Sequence, residues 1–129
     1  MEINGVAHTF ITAGDFVAAR AFYGQLLPFM GLTCVADTPV TYYCVGGRTG
    51  FGIQAPPPAH EGKRFEQGAV GLHHICFRAR SREDVEEAYA FLVGVGAHIV
   101  HGPQDDRCRQ RYRSRNRARP QDGVRVRHE

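Results

Sequence analysis

The chain has 129 residues, 43% apolar and 22% charged, which fits one globular domain or two small units sharing a core. No run approaches the ~18 apolar residues of a membrane span, and the opening MEINGVAHTF lacks the basic-then-apolar pattern of a secretory signal, so a cytoplasmic protein is expected. The net charge of +3 conceals a break: residues 1–106 hold seven Lys/Arg against eleven Asp/Glu, whereas residues 107–129 hold nine Arg against Asp122 and Glu129.

Residues 6–11 are rich in β-branched and aromatic side chains and predict a short buried strand. Asp15 then supplies a helix N-cap, with Phe16, Ala19, Phe22, Tyr23 and Leu26 at three-to-four spacing behind it and Gly31 as the stop. Residues 32–36, 41–45 and 51–55 read as three strands, separated by Asp37-Thr38-Pro39 and by the glycine-rich 46–50. The first unit is therefore βαβββ.

The stretch 55–71 is polar and rich in Pro and Gly, and its three consecutive prolines favour an extended course. It reads as a linker or as a flap over a pocket. Beyond it the pattern restarts. A shift of 66 residues brings His8 onto His74, Asp15 onto Ser81 and Tyr23 onto Tyr89. Residues 72–77 predict a buried strand, Ser81 with Asp84 a capping box, and Val85, Ala88, Tyr89 and Leu92 a helical stripe stopped by Gly96. Residues 97–100 predict the next strand. The last two strands must fall in 105–128, where Arg alternates from Arg107 to Arg119 and only Val124 and Val126 make a credible strand.

The four cysteines, Cys34, Cys44, Cys76 and Cys108, contain no C-x-x-C pair, so neither a zinc knuckle nor a thioredoxin-type site is indicated. They read as free buried thiols.

With His8 seven residues before Asp15, the block AFYGQLLPFMG (21–31) and GLHHICFRA (71–79), the chain resembles the vicinal oxygen chelate superfamily of glyoxalases, bleomycin and fosfomycin resistance proteins and extradiol dioxygenases. The resemblance implies an α+β fold of tandem βαβββ units whose open, curved mixed sheets form a cleft, with helices outside. It implies a single domain over 1–129, with unit one about 4–56, a linker 57–70 and unit two about 71–129.

The resemblance also implies a metal site on the opening and closing strands of the two units. His8 and His74 hold the opening positions and Gln54 the first closing position, while Arg127 stands where the family has Glu. Imidazoles with an oxygen ligand suit Fe, Mn, Ni or Zn. Arg127 has no acceptor and stays protonated, so it cannot ligate a cation; Glu129, of the same strand parity, is the substitute. His73 is expected to point away from His74 by strand alternation. Tyr42, Tyr43, Phe51 and Tyr112 either line the cleft or pack in the core.

The leading functional expectation is a glyoxalase- or dioxygenase-like metalloenzyme acting on a small oxygen-rich metabolite. The alternative is a non-catalytic binder of small molecules, of the bleomycin-resistance kind. A small-molecule ligand and a homodimer are the expected partners; membrane and nucleic acid are not. The arginine-rich 107–119 admits three readings: a phosphate-neutralising arm, an atypical closing hairpin, or the product of an altered reading frame.

Overall fold

The computed structural model describes residues 1–103, and the chain divides into two compact units, Met1–Phe65 and Glu66–Glu129. The first unit follows the order β1 (His8–Thr12), α1 (Phe16–Phe29), β2 (Thr33–Asp37), β3 (Thr41–Gly46) and β4 (Thr49–Gln54), and so realises the expected βαβββ order. The strands form one mixed sheet in the order β1-β4-β3-β2, with β1 and β2 at its edges. β4 pairs parallel with β1 and antiparallel with β3, and β3 pairs antiparallel with β2. Among the described residues, no helix is long and apolar enough to cross a membrane.

The capping chemistry works as the residues dictate. Asp15 accepts a hydrogen bond from the Ala18 amide at 2.9 Å, satisfying one of the free donors of the first turn of α1. At the other end Gly31 takes φ +83°, its amide bonding Pro28 O at 2.9 Å while the Leu32 amide bonds Leu27 O at 3.0 Å. This pair of bonds is the Schellman ending, which requires the left-handed residue that glycine supplies without strain. The β3–β4 hairpin closes over Gly47 and Arg48, both at positive φ (55° and 63°), as a two-residue turn demands.

Alternation along the strands gives the sheet two different faces. On one, Tyr42, Cys44, Phe51 and Ile53 are buried together with Tyr23, Leu26 and Leu27 of α1. This is the core of the unit; Leu27, Ile53 and Cys44 are 0% exposed. On the other, His8, Phe10, Gly50, Gly52, Gln54 and Tyr43 share a face, since cross-strand partners point the same way. The segment after β4 leaves its extended course at Pro58, where a short 3-10 turn (Pro58–His60) forms, and Lys63 O returns against Gly14 closely enough to exclude a side chain there.

The described part of the second unit is built around α2 (Arg82–Gly94). Ser81 Oγ accepts from the Asp84 amide at 3.1 Å and the Ser81 amide donates to Asp84 Oδ2 at 3.2 Å, which is the capping box read from the sequence. Gly96, at φ +75°, repeats the Schellman ending, with its amide on Val93 O and the Ala97 amide on Leu92 O. Val85 and Leu92, two turns apart, are its buried residues. Ser81→Ala should lower stability by about 1 kcal/mol, measured by urea unfolding, because it orphans one of these donors. An unchanged midpoint would show that the box carries no stability.

Two expectations need correction. Neither 72–77 nor 97–100 forms a strand, and 72–77 is exposed or half-buried rather than buried. A strand exists only with a partner, and the residues expected to pair with these segments, 105–128, lie outside the described residues. The readings of Val124, Val126 and the Arg107–Arg119 run lie outside them too.

Candidate functional site

On the open face of the first unit, three rings stand together. Phe10 and Tyr43 lie 4.9 Å apart between centroids at a 32° tilt, and His8 meets them edge-on, at 5.7 Å from Phe10 and 6.2 Å from Tyr43. The glycines of β4 make this possible. A Cβ at Gly52 would collide with the Phe10 ring and one at Gly50 with the hydroxyl end of the Tyr43 ring, so the bare backbone at these positions makes room for both rings. The result is an aromatic surface with Phe10 41% exposed and the His8 imidazole at its edge. Such a surface can stack a planar molecule, and the imidazole and the Tyr43 hydroxyl can hydrogen-bond its polar groups.

The opposite face carries a polar cluster that pattern reading did not find. Arg20 of α1 donates from Nε to Asp37 Oδ1 at 2.8 Å and from Nη2 to Oδ2 at 2.5 Å, while its guanidinium carbon lies 3.9 Å from the centre of the Tyr42 ring. The two-pronged pair ties the helix to the edge strand β2. Gly24, a helix-weakening residue in mid-helix, lies beside the mobile end of the Arg20 side chain.

The hydrogen bonds from Arg20 hold the Asp37 carboxyl below its ordinary value, and the same pair raises Arg20. A carboxylate depressed in the folded state contributes stability above its unfolded pKa and loses it as pH falls through the folded value. Wild type should therefore exceed Asp37→Asn in Tm at neutral pH, with the gap closing under acid below the usual carboxylate range. A gap that persists in strong acid would assign the effect to packing. Burial pushes the Tyr42 phenol well up, so it stays protonated.

Two of the expected ligands, His8 and Gln54, lie in the first unit. His8 pairs with Gly50 at the start of the β1–β4 ladder and Gln54 with Thr12 at its end. They share a face but stand four residues apart along it, roughly 13 Å at ~3.3 Å per residue. Side chains rising from one face at that spacing do not meet at one ion, so these two do not fit a shared metal. Among the described residues, no group of three or more His, Cys, Asp or Glu could hold one. In the second unit, His73 Nδ1 lies 2.7 Å from His74 Nδ1, and Gln67 Nε2 donates to the His73 carbonyl at 3.2 Å. The two imidazoles therefore meet rather than point apart, because a segment without a ladder does not keep a strict period of two. That contact occupies His74 Nδ1, so Nε2 is the atom through which it could ligate. Glu129, Arg127 and Tyr112 lie outside the described residues.

Of the aromatics, Tyr42 and Phe51 are core and Tyr43 is on the open face. Cysteine burial also differs from expectation: Cys44 is buried, but Cys34 and Cys76 are exposed. Cys34 is on edge strand β2, which among the described residues has a neighbouring strand on one flank alone.

The model of the Glyoxalase/Bleomycin resistance protein/Dioxygenase superfamily matches residues 5–127. The chain belongs to this superfamily. Solved structures of similar fold include a candidate glyoxalase from Bacillus halodurans, 23% identical over 76% of this chain and 74% of that one, with a TM-score of 0.68. Lactoylglutathione lyase from Agrobacterium tumefaciens is 25% identical over 78% and 77%, with a TM-score of 0.57. A glyoxalase/bleomycin resistance protein from Albidiferax ferrireducens is 22% identical over 78% of each chain, at 0.58. No curated protein matches the chain. The four-stranded mixed sheet of the first unit, with α1 on one face, and the separate α2 of the second unit agree with the fold of this superfamily, whose members bind small molecules, often use divalent metals and often form dimers.

Proposed function

We propose that this superfamily member binds a small planar molecule on the open face of its first unit, as a binder rather than through a metal centre in that unit. The observation that supports this is the packing of His8, Phe10 and Tyr43 over Gly50 and Gly52. Glycines at two successive positions of one face of a central strand weaken the sheet. The aromatic surface they accommodate gives that weakness a use. Anilinonaphthalene sulfonate, a fluorescent probe that carries a planar naphthalene ring, should bind saturably to the folded protein and be displaced by planar aromatics. Probe fluorescence that rises without saturation, or that competitors leave unchanged, would refute this reading.

The glyoxalase-like metalloenzyme remains the second reading. It is favoured by His8 and His74 at matched positions of the repeat, and by the 25% identity to a lactoylglutathione lyase. Purified protein reconstituted with Fe, Mn, Ni or Zn separates the two. The binding proposal expects no stoichiometric metal, whereas metal retained by wild type and lost in both His8→Ala and His74→Ala would overturn it in favour of the metal-centred reading. A homodimer accompanies either reading, since units of this size bury little core alone.

A further inference from the structure

The helix-facing side of β2 and β3 holds two thiols in register. Cys34 and Cys44 are directly opposed across the antiparallel ladder, and the regular pairing breaks immediately after Cys34, between Cys34 and Ala36. Opposed residues on antiparallel strands have Cα atoms about 4.5–5.5 Å apart, within the roughly 4.4–6.8 Å that a disulfide spans. The two differ in access: Cys34 is exposed on the edge strand, while Cys44 is buried beneath it. We propose that Cys34 and Cys44 are a reversible redox pair that low-molecular-weight disulfides oxidise to an intramolecular cross-strand disulfide.

The chemistry proceeds in two exchanges. The Cys34 thiolate attacks one sulfur of a small disulfide RSSR, forming a mixed disulfide on Cys34 and expelling one RS⁻, which takes up the proton lost from Cys34. Cys44, having lost its own proton, then attacks the Cys34 sulfur and expels the second RS⁻, which is protonated to RSH. Two protein thiols are oxidised, one external disulfide is reduced to two thiols, and no other oxidant is needed. The order of attack follows from access and environment. Burial pushes the Cys44 thiol up, opposed by the hydrogen bond from Tyr42, so Cys44 is quiet toward external reagents. Once Cys34 carries the mixed disulfide, however, the attack is intramolecular between residues already in register. The bulge after Cys34 supplies the local freedom that closing the bond requires. Its site is on the face away from His8, Phe10 and Tyr43 and does not depend on what they bind.

The test uses the full chain carrying Cys76→Ser and Cys108→Ser, treated with hydroxyethyl disulfide under native conditions. The expected product has a mass lower by two hydrogens, with a peptide joining Cys34 to Cys44, and thiol reductant returns it to the starting mass. Further replacement of Cys44 by Ala should leave a stable mixed disulfide carrying a hydroxyethylthio group on Cys34, and of Cys34 by Ser should leave the chain unmodified. A persistent adduct on Cys34 in the chain that retains Cys44, or no reaction at Cys34, overturns the proposal. Peptide mapping reads the retained pair directly, so the test decides the matter even if the Cys44→Ala variant folds poorly.

Discussion

Phe51→Ala should cost about 3–5 kcal/mol of stability, the range for emptying a large buried aromatic site. Phe51 is 1% exposed at the centre of β4, with its ring 5.2 Å from that of Tyr23. It also pairs with Thr9 on one side and Cys44 on the other. Removing it opens a cavity between α1 and the sheet. Domains of this kind hold only about 5–15 kcal/mol in total, so the variant should be marginal, with a lower urea midpoint. Phe51→Leu, which keeps most of the volume, should lose under about 1.5 kcal/mol. Equal losses in the two variants would mean that the site is not packed as described.

Tyr43→Ala should do the reverse, sparing the fold and removing the ligand surface. Tyr43 is half-buried on the open face, and its ring covers Gly50. Truncation exposes that glycine and takes away one of the two stacked rings. An aromatic pair contributes about 0.5–1.5 kcal/mol beyond the area it buries, so planar-probe affinity should fall about tenfold, the equivalent of ~1.4 kcal/mol. Fluorescence titration checks this, with urea unfolding to confirm that the fold is retained. An unchanged affinity would place the probe elsewhere and remove the support for the binding reading.

The local elements were legible because their signals are local. Asp15 and Ser81 start helices, Gly31 and Gly96 end them with the same pair of backbone bonds, and the matched order makes the repeat visible in a single chain. The four strands of the first unit were readable to within three residues for the same reason. The site was less legible. Gln54 entered as a partner of His8 through the family resemblance, but the distance between them is set by register. The ladder puts Gly50, not Gln54, opposite His8. Glycine composition marked the turn at 47–48 but concealed the role of Gly50 and Gly52, which only the overlying rings reveal.

The sequence by itself determined the family, the βαβββ order of the first unit, the caps and the break in charge after Asp106. The tertiary structure alone decided which residues face one another. It set His8 with Phe10 and Tyr43, Arg20 with Asp37 and Tyr42, and Cys34 with Cys44. The physical reason is that capping and periodicity act within a few residues. Pairing across a sheet joins positions distant in the chain, and a shift of one residue in register sends every side chain to the other face.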